Sequence, residues 1–387
     1  MAGRMTHSAA STAAGQRTSQ TKRPRPSPLR FAARALLGAA IVASLLCGLA
    51  AGLARLGVPL PAHAVSRAAW HGVLMIPVFF GAAISLERAV AIGSAWCFSA
   101  PAAAALAGVL LLAGAPVPLA QAAVLIGGAV LLAGSIVVLR KQLALHLAVL
   151  AIATVCLSAG NLAWIVFGDP LAAVPYWLAF LVLTIVAERL ELTRMRPMRP
   201  ATHYLFYGCV TLLLAGLVIA LWQPDLGIRI FAASFVLLLF WLARYDIARH
   251  TVRQRGLTRF IAVALLSGYG WLGVSGLLGM DGAFAAGHPW HDAALHALTL
   301  GFVFSMVFGH APIILPAVTG LRVRYSPLFY LPLVLLHTAV GLRIIGVLTG
   351  DFNLRRFGSE AAAVSLLVFM LTVLTAVLSA RRKAGSN

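Results

Sequence analysis

Eleven histidines are spread through this chain, and what each could do depends on where it sits. A neutral imidazole can ligate a metal or carry a proton near pH 7. Position removes seven of them. His7 lies in a polar stretch ahead of the first apolar run; His63, His288 and His291 sit at or beyond the outer ends of runs. His203 and His250 sit at inner ends, and His146 is one turn into a run, where it can snorkel to the interface. Four remain at depth inside apolar segments: His71, His296, His310 and His337. An ionisable group in hydrocarbon is costly, so each is a functional candidate.

Helix geometry converts position into depth. His71, in Trp70-His71-Gly72-Val73-Leu74-Met75, lies about one turn below the outer face of a helix running outside to inside. His296, in His291-Asp292-Ala293-Ala294-Leu295-His296, lies a little over one turn below the same face on a helix of the same direction. Two imidazoles at matched depth can ligate one iron from its two faces, as in a bis-histidine b-type haem. His71 and His296 are therefore candidate metal ligands and haem-binding residues.

His310 follows on the same helix about 21 Å deeper, beside Gly309 and Pro312 and ahead of Pro316, residues that loosen a helix. His337 falls near the midplane of the next span, and these two are candidate metal ligands for a site of their own. Arg343 stands about 9 Å closer to the outside on that span. An arginine there needs an anion, and a haem propionate would supply one. The alternatives are plainer. A membrane histidine can simply hydrogen-bond a neighbouring helix, for about 1 kcal/mol or less, and Arg343 can snorkel. Trp70, Trp271, Trp290, Phe302, Phe304 and Phe308 read as belt and packing residues.

The elements that must position these groups follow from composition. Hydrophobic residues make up 61% of the 387 and charged residues 10%. A soluble domain carries about 25% charged residues, so this chain has too little polar surface for a water-exposed fold. Apolar runs of span length recur, without the ten-residue alternation of a barrel strand. Spans are expected near 31–54, 68–88, 96–114, 117–139, 142–166, 171–189, 203–222, 226–245, 260–280, 291–316, 325–349 and 361–380. The fold class is thus an all-α polytopic membrane protein of about twelve transmembrane helices.

Charge sets the orientation. The formal net charge is +20, with 30 Lys and Arg. With the N-terminus inside, all but Arg55, Arg67, Arg229, Arg343, Arg355 and Arg356 fall on the cytoplasmic side, which obeys the positive-inside rule. Both termini are then cytoplasmic, the expected location is a bacterial inner membrane, and the bilayer rather than nucleic acid accounts for the charge. Residues 1–30, rich in Ser, Thr, Pro and Arg, are expected to be a disordered basic tail, 31–380 the membrane domain and 381–387 a short inner tail. The first apolar stretch is already of span length, so no signal peptide is expected. The basic connections Leu190–Thr202, with Arg194, Arg196 and Arg199, and Asp246–Arg259 look like headgroup contacts. Glu87-Arg88 and Glu188-Arg189 end two even-numbered spans, as ion pairs anchoring helix ends would. The four cysteines occur singly, without a CxxC.

One family shares these features. His296-Ala297-Leu298-Thr299-Leu300-Gly301, with Met306 beyond it, resembles the His-Ala-Leu-Thr-x-Gly segment of the NnrS family, and Trp70-His71-Gly72 is similar to that family's early histidine-bearing span. The resemblance implies a twelve-span protein with haem and copper, tied to nitric oxide metabolism and distantly to haem-copper oxidase subunit I. It carries His71 and His296 over as haem ligands and leaves open a second haem or a copper at His310 and His337. The oxidase pattern is incomplete: position 298 is Leu, the sixth span has no histidine, and the seventh has only His203. A full dioxygen-reducing haem–copper centre cannot be assembled from these residues.

The expectation is therefore a haem b protein of the membrane, possessing a nitric oxide or electron-transfer role and a redox partner. Its rivals are a solute or proton-coupled transporter whose path is lined by His310, His337 and Arg343, and a non-catalytic assembly subunit.

Overall fold

The protein, described by a computed structural model over residues 28–193 and 200–384, consists of helices joined by short connections, with no strand among the described residues. Twelve helices are long and apolar enough to cross a membrane. They are α1 (Ala32–Ala54), α2 (Ala68–Ile92), α3 (Ala95–Ala113), α4 (Val117–Lys141), α5 (Leu145–Phe167) and α6 (Pro170–Thr193). Then follow α7 (Pro200–Ile219), α8 (Pro224–Tyr245), α9 (Gly256–Met280), α10 (His291–Thr319), α11 (Pro327–Thr349) and α12 (Phe352–Arg381). Of the tail expected over 1–30, residues 1–27 lie outside the described residues, as do the basic residues Arg194, Arg196 and Arg199 and residues 385–387, while 28–30 already belong to the first helix.

Backbone hydrogen bonding forces helices where no water can serve as a partner, so hydropathy locates most span ends to within a few residues. The twelfth span is the exception. It begins at Phe352, nine residues before the expected 361. Asn353, Arg355, Arg356, Ser359 and Glu360 depress the hydropathy there, yet Arg356 Nε donates to Glu360 Oε1 at 2.9 Å one turn on, and the helix extends over the polar stretch. Arg355 consequently belongs to the first turns of α12 and not to a loop.

The spans that carry His71 and His296 are the least regular. In α2 the segment Leu74–Phe80, which contains Pro77, is wound as a π-helix. In α10 the segment Ala297–Phe304 is wound the same way, with no proline. Pro77 has no N–H and crowds the preceding turn, which accounts for the first. π segments recur at functional sites, and here each begins within a turn of one of the two histidines.

Lipid tails are as apolar as leucine, so helices associate through close packing and a few polar contacts. Gln121 Nε2 donates to the Trp164 carbonyl at 3.0 Å, Asn161 Nδ2 to that of Val124 at 2.9 Å, and Trp177 Nε1 to Asn161 Oδ1 at 3.0 Å. These bonds tie α4, α5 and α6. At the other end of α6, Arg88 Nη2 meets Glu188 Oε1 at 3.0 Å. The two Glu-Arg pairs expected to anchor separate helix ends are thus joined to each other across α2 and α6.

Candidate functional site

Two glycines on one face of α1 shape the surroundings of His71. Gly48 and Gly52 stand one turn apart, and a Cβ built on Gly52 would fall 2.7 Å from His71 Cε1. The absent side chain lets α1 lie against the imidazole. That approach puts the Gly48 carbonyl 2.8 Å from His71 Nδ1. A carbonyl only accepts, so Nδ1 carries the proton and Nε2 the lone pair.

His296 arrives at the same state by another route. Its Nδ1 lies 2.8 Å from the carbonyl of Asp292, one turn earlier on α10, and 3.3 Å from Asp292 Oδ1. Again Nδ1 donates and Nε2 is left with the lone pair. Neither Nε2 has a hydrogen-bond partner among the described residues. The two rings come together: their centres are 6.2 Å apart and their planes within 13° of parallel.

Beside them opens a cavity of about 490 Å³, within the range of cofactor and ligand pockets. His71 and His296 line it, with Met75, Phe80, Leu178 and Phe304 among its apolar walls. Its polar side is formed by Arg55, Asp292, Arg343 and Arg355. The cavity is amphipathic: apolar walls, two imidazoles, and a cluster of cations at the side nearest the helix ends.

Arg343 meets its anion within the protein. Its Nε donates to Asp292 Oδ2 at 3.0 Å and its Nη2 to Oδ1 at 2.7 Å, and Arg355 Nη2 stands 3.2 Å from Oδ1. Asp292, in the first turn of α10, turns inward with its side chain only 17% exposed, so an anion for Arg343 is present within the protein itself. Close backbone packing holds this group. A Cβ at Gly358 of α12 would lie 2.5 Å from the Arg343 nitrogen, so α11 and α12 touch where Arg343 and Arg355 project.

The other two deep histidines are placed elsewhere, and they do not pair with each other. His310 Nδ1 donates to the Met306 carbonyl at 2.6 Å, and its Nε2 accepts from Arg189 of α6. His337 accepts from Trp271 Nε1 at Nδ1, at 2.8 Å, and its Nε2 is 2.8 Å from Ser267 Oγ, both on α9. Neither lines the cavity. Among the described residues no group of three or more His, Cys, Asp and Glu side chains could hold a metal ion.

Sequence reasoning missed Asp292, Arg355 and the Gly48 carbonyl. A signal for Asp292 existed, because Asp292-x-x-x-His296 places a carboxylate one turn from an imidazole on the same helix face. Nothing comparable marked Gly48 or Arg355, whose partners lie on other helices.

A membrane bundle with a paired-histidine cavity is the class these features define. Residues 34–378 match a family described as "Domain of unknown function (DUF8744)", and the chain belongs to that family. No curated protein matches it.

Proposed function

We propose that this protein binds a b-type haem between His71 and His296 and passes electrons through it in the membrane. One observation carries the reading: two parallel imidazoles 6.2 Å apart, each with Nδ1 committed to a carbonyl. With metal–imidazole bonds of about 2.0 Å and about 1.1 Å from ring nitrogen to ring centre, two imidazoles on one iron have centres about 6 Å apart. Metal-bound histidines nearly always give their other N–H to a carbonyl or carboxylate, which fixes tautomer and ring orientation. Both do so here before any metal is considered.

The cavity fits the rest of the group. Its apolar walls suit a macrocycle, and its cations suit propionates. Three arginines against Asp292 leave two positive charges, which matches two propionates. Arg343 is held on Asp292 by two hydrogen bonds, whereas Arg355 reaches it only through Nη2 at 3.2 Å and its Nε is buried without a hydrogen bond, so Arg55 and Arg355 are the better placed partners. Haem would supply one-electron chemistry, while the protein supplies ligands, orientation and exclusion of water. With His71 and His296 both holding the iron, no position would remain open for a gas, which favours electron transfer over ligand binding. A role in nitric oxide handling, which the NnrS resemblance implies, would need one histidine to leave.

Copper at His310 and His337 is not part of the proposal. Arg189 takes the His310 Nε2 lone pair, and Trp271 and Ser267 engage both His337 nitrogens. A transport path through His310, His337 and Arg343 likewise finds each residue bonded to a different partner.

The test is the spectrum of the purified full-length protein. A Soret band with low-spin α and β bands on reduction is expected, and His71→Ala and His296→Ala should each abolish it or convert it to a five-coordinate form. A colourless protein from haem-replete cells, or two histidine variants with the wild-type low-spin spectrum at full occupancy, would overturn the assignment.

A further inference from the structure

His71 and His296 are matched in tautomer and in depth, yet they differ in one respect. The Nδ1 of His71 meets only the uncharged Gly48 carbonyl, at 2.8 Å. The Nδ1 of His296 meets the Asp292 carbonyl at 2.8 Å and also lies 3.3 Å from Asp292 Oδ1. That same oxygen accepts from Arg343 Nη2 at 2.7 Å and stands 3.2 Å from Arg355 Nη2. One carboxylate therefore lies beside an imidazole ring and two guanidinium groups, with side-chain exposures of 17% for Asp292 and 10% for Arg343. At such burial these charges are weakly screened by water.

We propose that Asp292 is a positioning residue that sets the electron donation of His296, and with it the reduction potential of the iron held between His71 and His296. Arg343 sets how much of the carboxylate's charge reaches the ring. The inference rests on the haem reading above. Its physics is general: a carboxylate charge beside the far N–H makes an imidazole a stronger donor, and a stronger donor stabilises the ferric state. Arginines bound to that carboxylate draw its charge away from the ring.

The two partners should then act in opposite directions. In Asp292→Asn the ring loses an anionic partner and the two arginines lose their counter-charge, and both effects disfavour ferric iron. In Arg343→Gln the carboxylate is released toward His296 and a positive charge is lost, and both effects favour ferric iron. Asp292→Glu keeps the charge and should stay near wild type. A residue that merely held the helices together would not give paired shifts of opposite sign.

Redox titration of the purified full-length protein, followed by the reduced-haem spectrum, reads this directly. Asp292→Asn should favour reduction by tenfold or more, equivalent to about 59 mV upward for a one-electron couple, and Arg343→Gln should shift the potential downward. If Asp292→Asn fails to assemble, Arg343→Gln and Asp292→Glu decide, with a downward shift and a near-wild-type value expected. Haem-loaded variants whose potentials stay at the wild-type value, or move in the same direction, would overturn this inference and leave the haem assignment standing. A wild-type protein without haem would overturn both.

Discussion

Arg343 of α11 lays its guanidinium on the carboxylate of Asp292 of α10 through two hydrogen bonds, Nε to Oδ2 at 3.0 Å and Nη2 to Oδ1 at 2.7 Å. Each residue is an ionisable group in a membrane span, and each removes the other's cost. Together they fix α11 against α10 beside His296.

This pair should matter for stability. Breaking a buried ion pair by removing one member costs about 3–5 kcal/mol, and Arg355, 3.2 Å from Asp292 Oδ1, offsets part of that. Arg343→Ala is expected to cost about 3 kcal/mol and to lower the melting temperature in detergent. An unchanged melting temperature would show that Arg355 alone is a sufficient partner.

Gly52 should control the outer imidazole without touching any metal. A Cβ there falls 2.7 Å from the His71 ring, so Gly52→Val must push α1 away or turn the ring. The Nδ1 bond to the Gly48 carbonyl would be lost with it. The expected outcome is a smaller low-spin fraction in the absorption spectrum and in low-temperature paramagnetic resonance. A wild-type spectrum from a folded Gly52→Val protein would mean that the ring does not depend on α1.

His310 and His337 should be separable from the cavity. Each is bonded to a helix that neither His71 nor His296 uses for its Nδ1 contact, His310 to Arg189 of α6 and His337 to Trp271 and Ser267 of α9. Replacing His337 with Ala should cost stability, about 1–3 kcal/mol from the unmet Trp271 indole N–H, and leave the spectrum of the proposed haem in place. Loss of all haem from the folded variant would argue for one shared site.

Orientation can be checked independently of any cofactor. Reporter fusions after Arg255 and Arg199 should read cytoplasmic, and fusions near Asp169 and Asp281 periplasmic, because the basic residues concentrate on one side. A periplasmic reading at Arg199 would contradict the twelve-span plan and the matched depths of His71 and His296.

The amino-acid sequence by itself determined the helical class, the twelve apolar spans and the positions of the histidines along them. These are one-dimensional properties: an apolar run of fixed length crosses a bilayer of fixed thickness, and a constant rise per residue converts position into depth. It also singled out His71 and His296, since both fall early in spans expected to run in the same direction. Lateral arrangement was a different matter. Because leucine is no happier against another helix than against lipid, hydropathy does not say which spans are neighbours. Only the tertiary structure brought the His71 and His296 rings to 6.2 Å, leaving His310 and His337 on other partners. It also turned Asp292 inward and began α12 at Phe352, so that Arg355 could reach it. Those outcomes were decided by close packing, at Gly52 on the His71 ring and at Gly358 on the Arg343 backbone, where a missing side chain on one helix admits a residue from another.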